Sequence, residues 1–217
     1  NNAFGGRSLF NNTTGIRNTA VGLNALQSNT YASDNTAVGF RSQLLNTTGY
    51  YNTSLGSFTL YTNTTGRRNI ALGTFALKNN TTGNFNIAVG VLSLCNNTVG
   101  SSNVALGHAT LICNTTGNSN IAIGDSALQK NTGSSNTAVG TGALYNNIAN
   151  NNTAVGVQSS ACNTSGYANA ALGFRSLGAN TTGRSNTAVG YYALRCNTIG
   201  LINTAVGTSA LRANTTG

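Results

Sequence analysis

Asn186-Thr187-Ala188-Val189-Gly190-Tyr191-Tyr192-Ala193-Leu194-Arg195-Cys196-Asn197-Thr198-Ile199-Gly200 decides the fold, because its pattern returns along the whole chain. A Gly equivalent to Gly190 stands at 5, 22, 39, 56, 73, 90, 107, 124, 140, 156, 173, 190 and 207, a spacing of 17 residues with two spacings of 16. Thirteen units fill the 217 residues, and a period of this size marks stacked units rather than a mixed globular domain. With that Gly as position 5, a unit reads Asn, Thr/Ile/Val, Ala, Val/Leu/Ile, Gly, two variable residues, a small residue, Leu, two variable residues, Asn-Thr-Thr-Gly and two more variable residues.

The units are not helical. β-Branched residues, Gly and Asn recur in each, and no apolar stripe runs at a 3.6-residue period. The pattern predicts an all-β chain, a parallel β-roll or β-solenoid of thirteen 17-residue coils with two short strands per coil. One strand lies at positions 2–4 and the other around the position-9 Leu. Residues 1–217 read as a single repeat array, a segment of a longer fibre, since neither terminal unit departs from the pattern as a capping unit does. Strand alternation suggests a core of the larger residues at position 4 (Val21, Val38, Leu55, Leu72, Val89), with position 2 beside them. The small residues at positions 3 and 8 then face outward, where they read as a close contact between subunits, the alternative being tight packing inside a single flattened solenoid. The second Asn of each unit marks a turn and a ladder of stacked amides along an edge: Asn12, Asn29, Asn46, Asn63, Asn80, Asn97, Asn114, Asn131, Asn147, Asn163, Asn180, Asn197 and Asn214. Both 16-residue spacings fall at such turns, where a deletion is tolerated.

Composition narrows the chemistry. The chain carries 11 Lys and Arg against 2 acidic residues, a net charge of +9. Asp34 and Asp125 lie six coils apart, about 29 Å at a rung spacing near 4.8 Å, against the 5–9.5 Å that a glycosidase pair needs. No catalytic residue is assigned, and the chain reads as no enzyme. His108 and Cys113 supply two metal ligands where a structural zinc needs four. The Asp in every turn that a calcium-stacked roll uses is missing. The expectation is no metal and no cofactor. Cys95, Cys113, Cys162 and Cys196 read as small semi-buried side chains, with Cys95 and Cys113 the one intrachain pair within disulfide reach. No apolar run is long enough for a membrane helix.

Two surface features remain. Asn12, Asn46, Asn63, Asn80, Asn114, Asn163, Asn180 and Asn214 begin Asn-x-Ser/Thr sequons at the repeat turn. They read either as glycosylation points on a sugar-coated extracellular filament or as what a turn requires. Arg41, Tyr50, Tyr51, Phe58, Arg67, Arg68 and Phe75 suggest a basic, aromatic rim able to hold a polyanion or a glycan. No nucleic-acid motif accompanies it, so no specific nucleic acid is expected.

Asn136 to Leu144 and Asn203 to Leu211, with Asn-Thr-Ala-Val-Gly-x-x-Ala-Leu, resemble the Asn-Ser-x-Ala-x-Gly-x-x-Ser/Ala repeat of the YadA-like heads of trimeric autotransporter adhesins, and the similarity runs the length of the chain. It extends to repeat-built phage and giant-virus fibres. The resemblance implies a left-handed parallel β-roll, self-association as a homotrimer or filament, and a structural, surface-binding role outside the cell, on a cell or virion surface. The chain departs from that pattern in its Asn-Thr-Thr-Gly turn and its longer 17-residue unit. A monomeric β-solenoid binding ice or a polysaccharide is the alternative, with Thr ladders as its sign. Ice binding wants Thr on a flat strand face, whereas most Thr is placed at the turns.

Overall fold

The computed structural model describes residues 1–217 and contains thirteen three-residue β-strands and no helix. Two compact units are formed, Asn1–His108 and Ala109–Gly217. The first carries β1 (Asn2–Phe4) through β7 (Val104–Leu106), the second β8 (Ile121–Ile123) through β13 (Thr204–Val206). Within each unit, consecutive strands pair in parallel and in register, Thr19 with Thr36 and Ala20 with Ala37, or Thr187 with Thr204 and Ala188 with Ala205. The chain is thus a β-solenoid in which equal positions of successive coils stack. The deletions do fall at turn tips: Asn131 reaches the carbonyl of Gly133 two residues on, where Asn163 reaches Gly166 three residues on.

Each coil has one strand, not two. After the position-5 Gly the backbone closes two successive turns, shown by Ser8 N–H donating to Gly5 O at 3.3 Å and Asn12 N–H to Leu9 O at 3.1 Å. The Leu expected in a second strand lies instead in the left-handed region, with φ of 49° at Leu26 and 50° at Leu111.

The strand also faces the other way from the expectation. Ala20, Ala37, Ala88, Ala138 and Ala188 at position 3 are fully buried. Position 4 is at the surface, with Leu55 53% and Leu172 48% exposed. The interior is filled by position-3 Ala, position-8 Ala/Ser/Thr, position-9 Leu and the two Asn columns. Such an interior is too narrow for a second column of large side chains, so the strand turns its Ala inward. The small residues at positions 3 and 8 are therefore core, not a subunit contact. In one pair of coils the core becomes polar in concert. Gln43 replaces Leu at position 9, Ser54 replaces Ala at position 3 of the next coil, and Gln43 Nε2 donates to Ser54 Oγ at 2.8 Å.

Positions 7, 9 and 17 take positive φ in coil after coil, 37 non-Gly residues in all. For L-residues this costs roughly 1–2 kcal/mol each. The conformation is held by hydrogen bonds to neighbouring coils: Asn24 N–H to Gly6 O, Leu26 N–H to Ser42 O and Asp34 N–H to Ile16 O, at 2.9, 3.0 and 3.1 Å. A lone coil lacks these partners, so the shape belongs to the stack. Of the 37, only Ile202 is β-branched, which follows from the poor fit of β-branched residues at positive φ. Leu77→Ile is therefore expected to destabilise the first unit by about 2 kcal/mol more than Leu77→Met, though both nearly conserve volume. Urea midpoints of the two variants check this.

Candidate functional site

Asn side chains form two internal ladders. At position 1, each Oδ1 accepts the backbone N–H of the equivalent Asn in the next coil, as in Asn52 to Asn35 and Asn69 to Asn52, both 3.0 Å. Its Nδ2 crosses the coil to the position-15 carbonyl, Asn52 to Gly66 at 2.8 Å. At position 12, Nδ2 reaches that same carbonyl from the other side, Asn63 to Gly66 at 3.0 Å, and also donates to the preceding Asn, Asn63 to Asn46 Oδ1 at 2.7 Å. The position-12 ladder runs unbroken from Asn46 to Asn97 in the first unit and from Asn131 to Asn214 in the second. Between Asn29 and Asn46 it is interrupted, and Asn29 Oδ1 has no partner. Threonine hydroxyls at position 13 add a parallel set of rungs, Thr64 Oγ1 to Thr81 O at 3.1 Å and Thr181 Oγ1 to Thr198 O at 3.0 Å.

This placement corrects the glycan reading. Asn46, Asn63, Asn80, Asn114, Asn163 and Asn180 are fully buried, and Asn12 and Asn214 half-buried. An N-linked sugar attaches at Nδ2, the atom that closes the coil. The folded coil has no room for a glycan at the six buried residues, and at Asn12 and Asn214 the same Nδ2 is held by the turn carbonyl of Gly15 or Gly217. The amides sit inside, where the sequence suggested an edge, because each must reach across to the position-15 carbonyl. Sequon residues on the outside include Asn79 and Asn96 at position 11, joined by an exposed hydrogen bond of 3.0 Å, and Asn151 at the end of its unit.

The seven rim residues all belong to the first unit but form two clusters on either side of the strand. After the strand, Phe40, Phe58 and Phe75 make a ladder with centroids 5.1 and 5.5 Å apart; the Arg41 guanidinium lies 5.0 Å from the Phe40 ring and the Lys78 ammonium 5.3 Å from Phe75. Before the strand, Tyr50 and Tyr51 meet at 5.3 Å. Arg67 lies over Tyr50 at 5.5 Å and donates to its hydroxyl at 2.7 Å, while Arg68 lies between Tyr51 and Phe85. Positive φ at Arg41, Phe58, Phe75, Tyr51 and Arg68 turns these side chains out at the two corners. Each cation–aromatic pair is worth about 0.5–1 kcal/mol at such exposure. A neighbouring pair, Arg17 with Asp34, is closed by two bonds of 2.6 and 2.9 Å. The Arg17 hydrogen bond holds the Asp34 carboxyl below its ordinary range.

No three of the His, Cys, Asp and Glu residues gather where a metal ion could be held. All four cysteines are free thiols, so Cys95 and Cys113 are unpaired, and burial pushes the Cys95 thiol up. No helix is long and apolar enough to cross a membrane.

The strand face is the feature that sequence reasoning assigned to the core. Positions 2 and 4 hold Thr, Ile, Val, Leu, one Ala, and Asn2 and Phe4 at the start, with no charged residue in either column. Ile70, Leu55, Ile121, Ile123 and Leu172 are all more than a third exposed. Parallel sheets are ordinarily covered on both faces, and uncharged apolar patches of this kind mark contact surfaces. No protein-family model, curated protein or solved structure matches the chain.

Proposed function

We propose that the chain is a non-enzymatic structural module of a surface fibre or adhesin, extracellular on a cell or virion, that self-associates as a homotrimer through its strand face and binds through its basic aromatic corners. The observation that carries this reading is the uncharged, apolar outer face of each unit's parallel sheet. Its side chains repeat in register, Val21 with Val38 and Val189 with Val206, so copies laid along the same direction meet like with like at every rung. The extracellular setting and the choice of three copies rest on the resemblance to adhesin heads, and the aromatic corners support a ligand of polyanionic or glycan character.

The test is a native mass. The wild type is expected near three times 22.1 kDa. Leu55→Lys combined with Leu172→Lys, which places charge on this face in both units, is expected to give one chain with unchanged circular dichroism. A wild-type mass of one chain overturns the association.

One observation favours the ice-binding alternative more than the sequence did. Thr19, Thr36, Thr53, Thr137, Thr153, Thr187 and Thr204 lie on the outer strand face rather than in turns. Ile70, Ile87, Val104, Ile121 and Ala170 interrupt that column. Thermal hysteresis in the monomeric double-Lys variant's parent, and its loss in the variant, would replace association by ice as the role of this face.

A further inference from the structure

A groove in the second unit has no part in the corners described above. It is a cleft of about 420 Å³ lined by Gln158, Ala161, Cys162, Arg175, Gly178, Ala179, Arg195 and Cys196. A second depression of about 280 Å³ continues it, sharing Gln158, Ala161 and Cys162 and ending at Tyr145. The sequence explains the hollow. Position 10 reads Tyr145, Ala161, Gly178, Arg195 in successive coils, so two small residues leave a gap between two large ones. Together the depressions have the size of ordinary small-ligand sites.

The ends of the groove are basic and aromatic. Arg195 lies 4.7 Å and Arg212 5.2 Å from the Tyr192 ring, and Arg175 lies 5.3 Å from Phe174. At the other end Lys130 lies 5.3 Å from Tyr145. Arg175 is steered by Gln158, its Nε donating to Oε1 at 2.6 Å, and by its approach to the Tyr192 hydroxyl. Tyr191 donates to Tyr192, which pushes the Tyr191 hydroxyl up, while that bond and the nearby guanidiniums hold Tyr192 down. The lining contains no carboxylate, and the second unit's one acidic side chain, Asp125, is two coils before Gln158.

We propose that this groove binds an acidic oligosaccharide of two to four rings, carboxylated or sulfated, with Arg175 and Arg195 on its anionic groups and Tyr145 against a ring face. Guanidinium forks match carboxylate and sulfate oxygens, and amphipathic tyrosines present both a flat apolar face and a hydroxyl. The floor of Ala161, Gly178 and Ala179 is neutral and smooth, which suits sugar rings. A nucleic acid would call for a continuous track of cations along its phosphates. The groove lies at positions 7 to 11, away from the strand face, so binding per chain does not depend on association.

Chondroitin 4-sulfate tetrasaccharide is the probe, titrated by calorimetry with chitotetraose, inorganic sulfate and a dT12 oligonucleotide as comparators. Alkylation by iodoacetamide, read by mass spectrometry, localises it: Cys162 lines the groove, whereas exposed Cys113 does not. The tetrasaccharide is expected to slow alkylation of Cys162 at least fivefold and leave Cys113 unchanged. Arg195→Gln and Ala161→Tyr are each expected to weaken binding at least tenfold. Both variants place in the column a residue it already carries, as Gln129 and Tyr145 show, so both fold. The proposal is overturned by absent binding, by unprotected Cys162, by unchanged affinity in both variants, or by chitotetraose or sulfate binding as tightly. Tighter binding of dT12 would make the groove a nucleic-acid site and overturn it as well. Protection of Cys162 in a protein whose native mass is one chain would uphold the groove while refuting the trimer.

Discussion

Asn63→Ala is expected to destabilise the first unit by about 3–5 kcal/mol, a loss more usual for a large core residue than for an amide. Asn63 Nδ2 holds Gly66 O and Asn46 Oδ1, and its Oδ1 accepts from Asn80 Nδ2 at 2.8 Å. Truncation strips Asn46 Oδ1 of its partner, removes one from Asn80, and does so where no water enters. Each such orphan costs about 1–3 kcal/mol. Asn96→Ala, at an exposed asparagine just before the ladder residue Asn97, is expected to stay within about 0.5 kcal/mol. Asn63→Asp extends the test to pH. Its carboxylate would face the Gly66 carbonyl and be buried, so its folded pKa rises above the unfolded value near 3.9. Folding of that variant then takes up a proton, and its stability falls as pH rises from the unfolded pKa through the folded one. It is expected to be more stable at pH 4 than at pH 7 relative to wild type, whereas the Asn63→Ala deficit is the same at both. Chemical denaturation at the two pH values reads all three. Equal losses for Asn63→Ala and Asn96→Ala would show that the ladder contributes nothing beyond the turn itself.

The coil was legible because recurrence is a geometric statement. Gly190 and its equivalents return every 17 residues, so equal positions stack, and short β-branched segments between turn residues leave little but strands and turns. Which side of the strand faces inward was not legible. Alternation separates Ala188 from Thr187 and Val189 but carries no sign, and the general preference for burying Val over Ala gives the wrong answer in an interior only wide enough for Ala, Leu and two amides. The Asn columns were recognised as ladders and misplaced at the edge, since Asn in a turn is commonly exposed and burial here depends on a carbonyl supplied by Gly66 or its equivalent. The left-handed positions were missed because Leu77, Arg41 and Tyr51 are not residues that favour positive φ. A signal was nevertheless present: Val, Ile and Thr abound at position 2 and are absent from positions 7 and 9 in all thirteen coils. The groove and the two corner clusters lie on variable residues, where the repeat carries no information and only the stacking of one coil on the next brings Arg212 beside Tyr192.

Gly22→Ala is expected to cost 4 kcal/mol or more, about the limit of what one substitution does, whereas Gly66→Ala is expected to cost about 1–2 kcal/mol. A Cβ on Gly22 would stand 2.6 Å from Gly39 O of the next coil, and one on Gly66 2.6 Å from Gly83 O, 2.8 Å from Asn80 Nδ2 and closer still to Asn63 Oδ1. Crowding alone therefore predicts a loss at Gly66 at least as large as at Gly22. The difference is in the backbone. Gly22 has φ of +128°, a conformation open to Gly and strained for any L side chain, and it cannot relax without breaking the N–H bond of 2.7 Å to Phe4 O. Gly66 has no such φ, and its column carries Ala32 and Ala149, so the stack already accommodates a methyl group at that position in other coils. Position 5, by contrast, is Gly in every coil. Urea midpoints of the two variants decide between strain and crowding. Similar losses would mean that contact between coils alone keeps position 5 as Gly, and a small loss at Gly22 would mean that the stack yields there as readily as it does at Ala32.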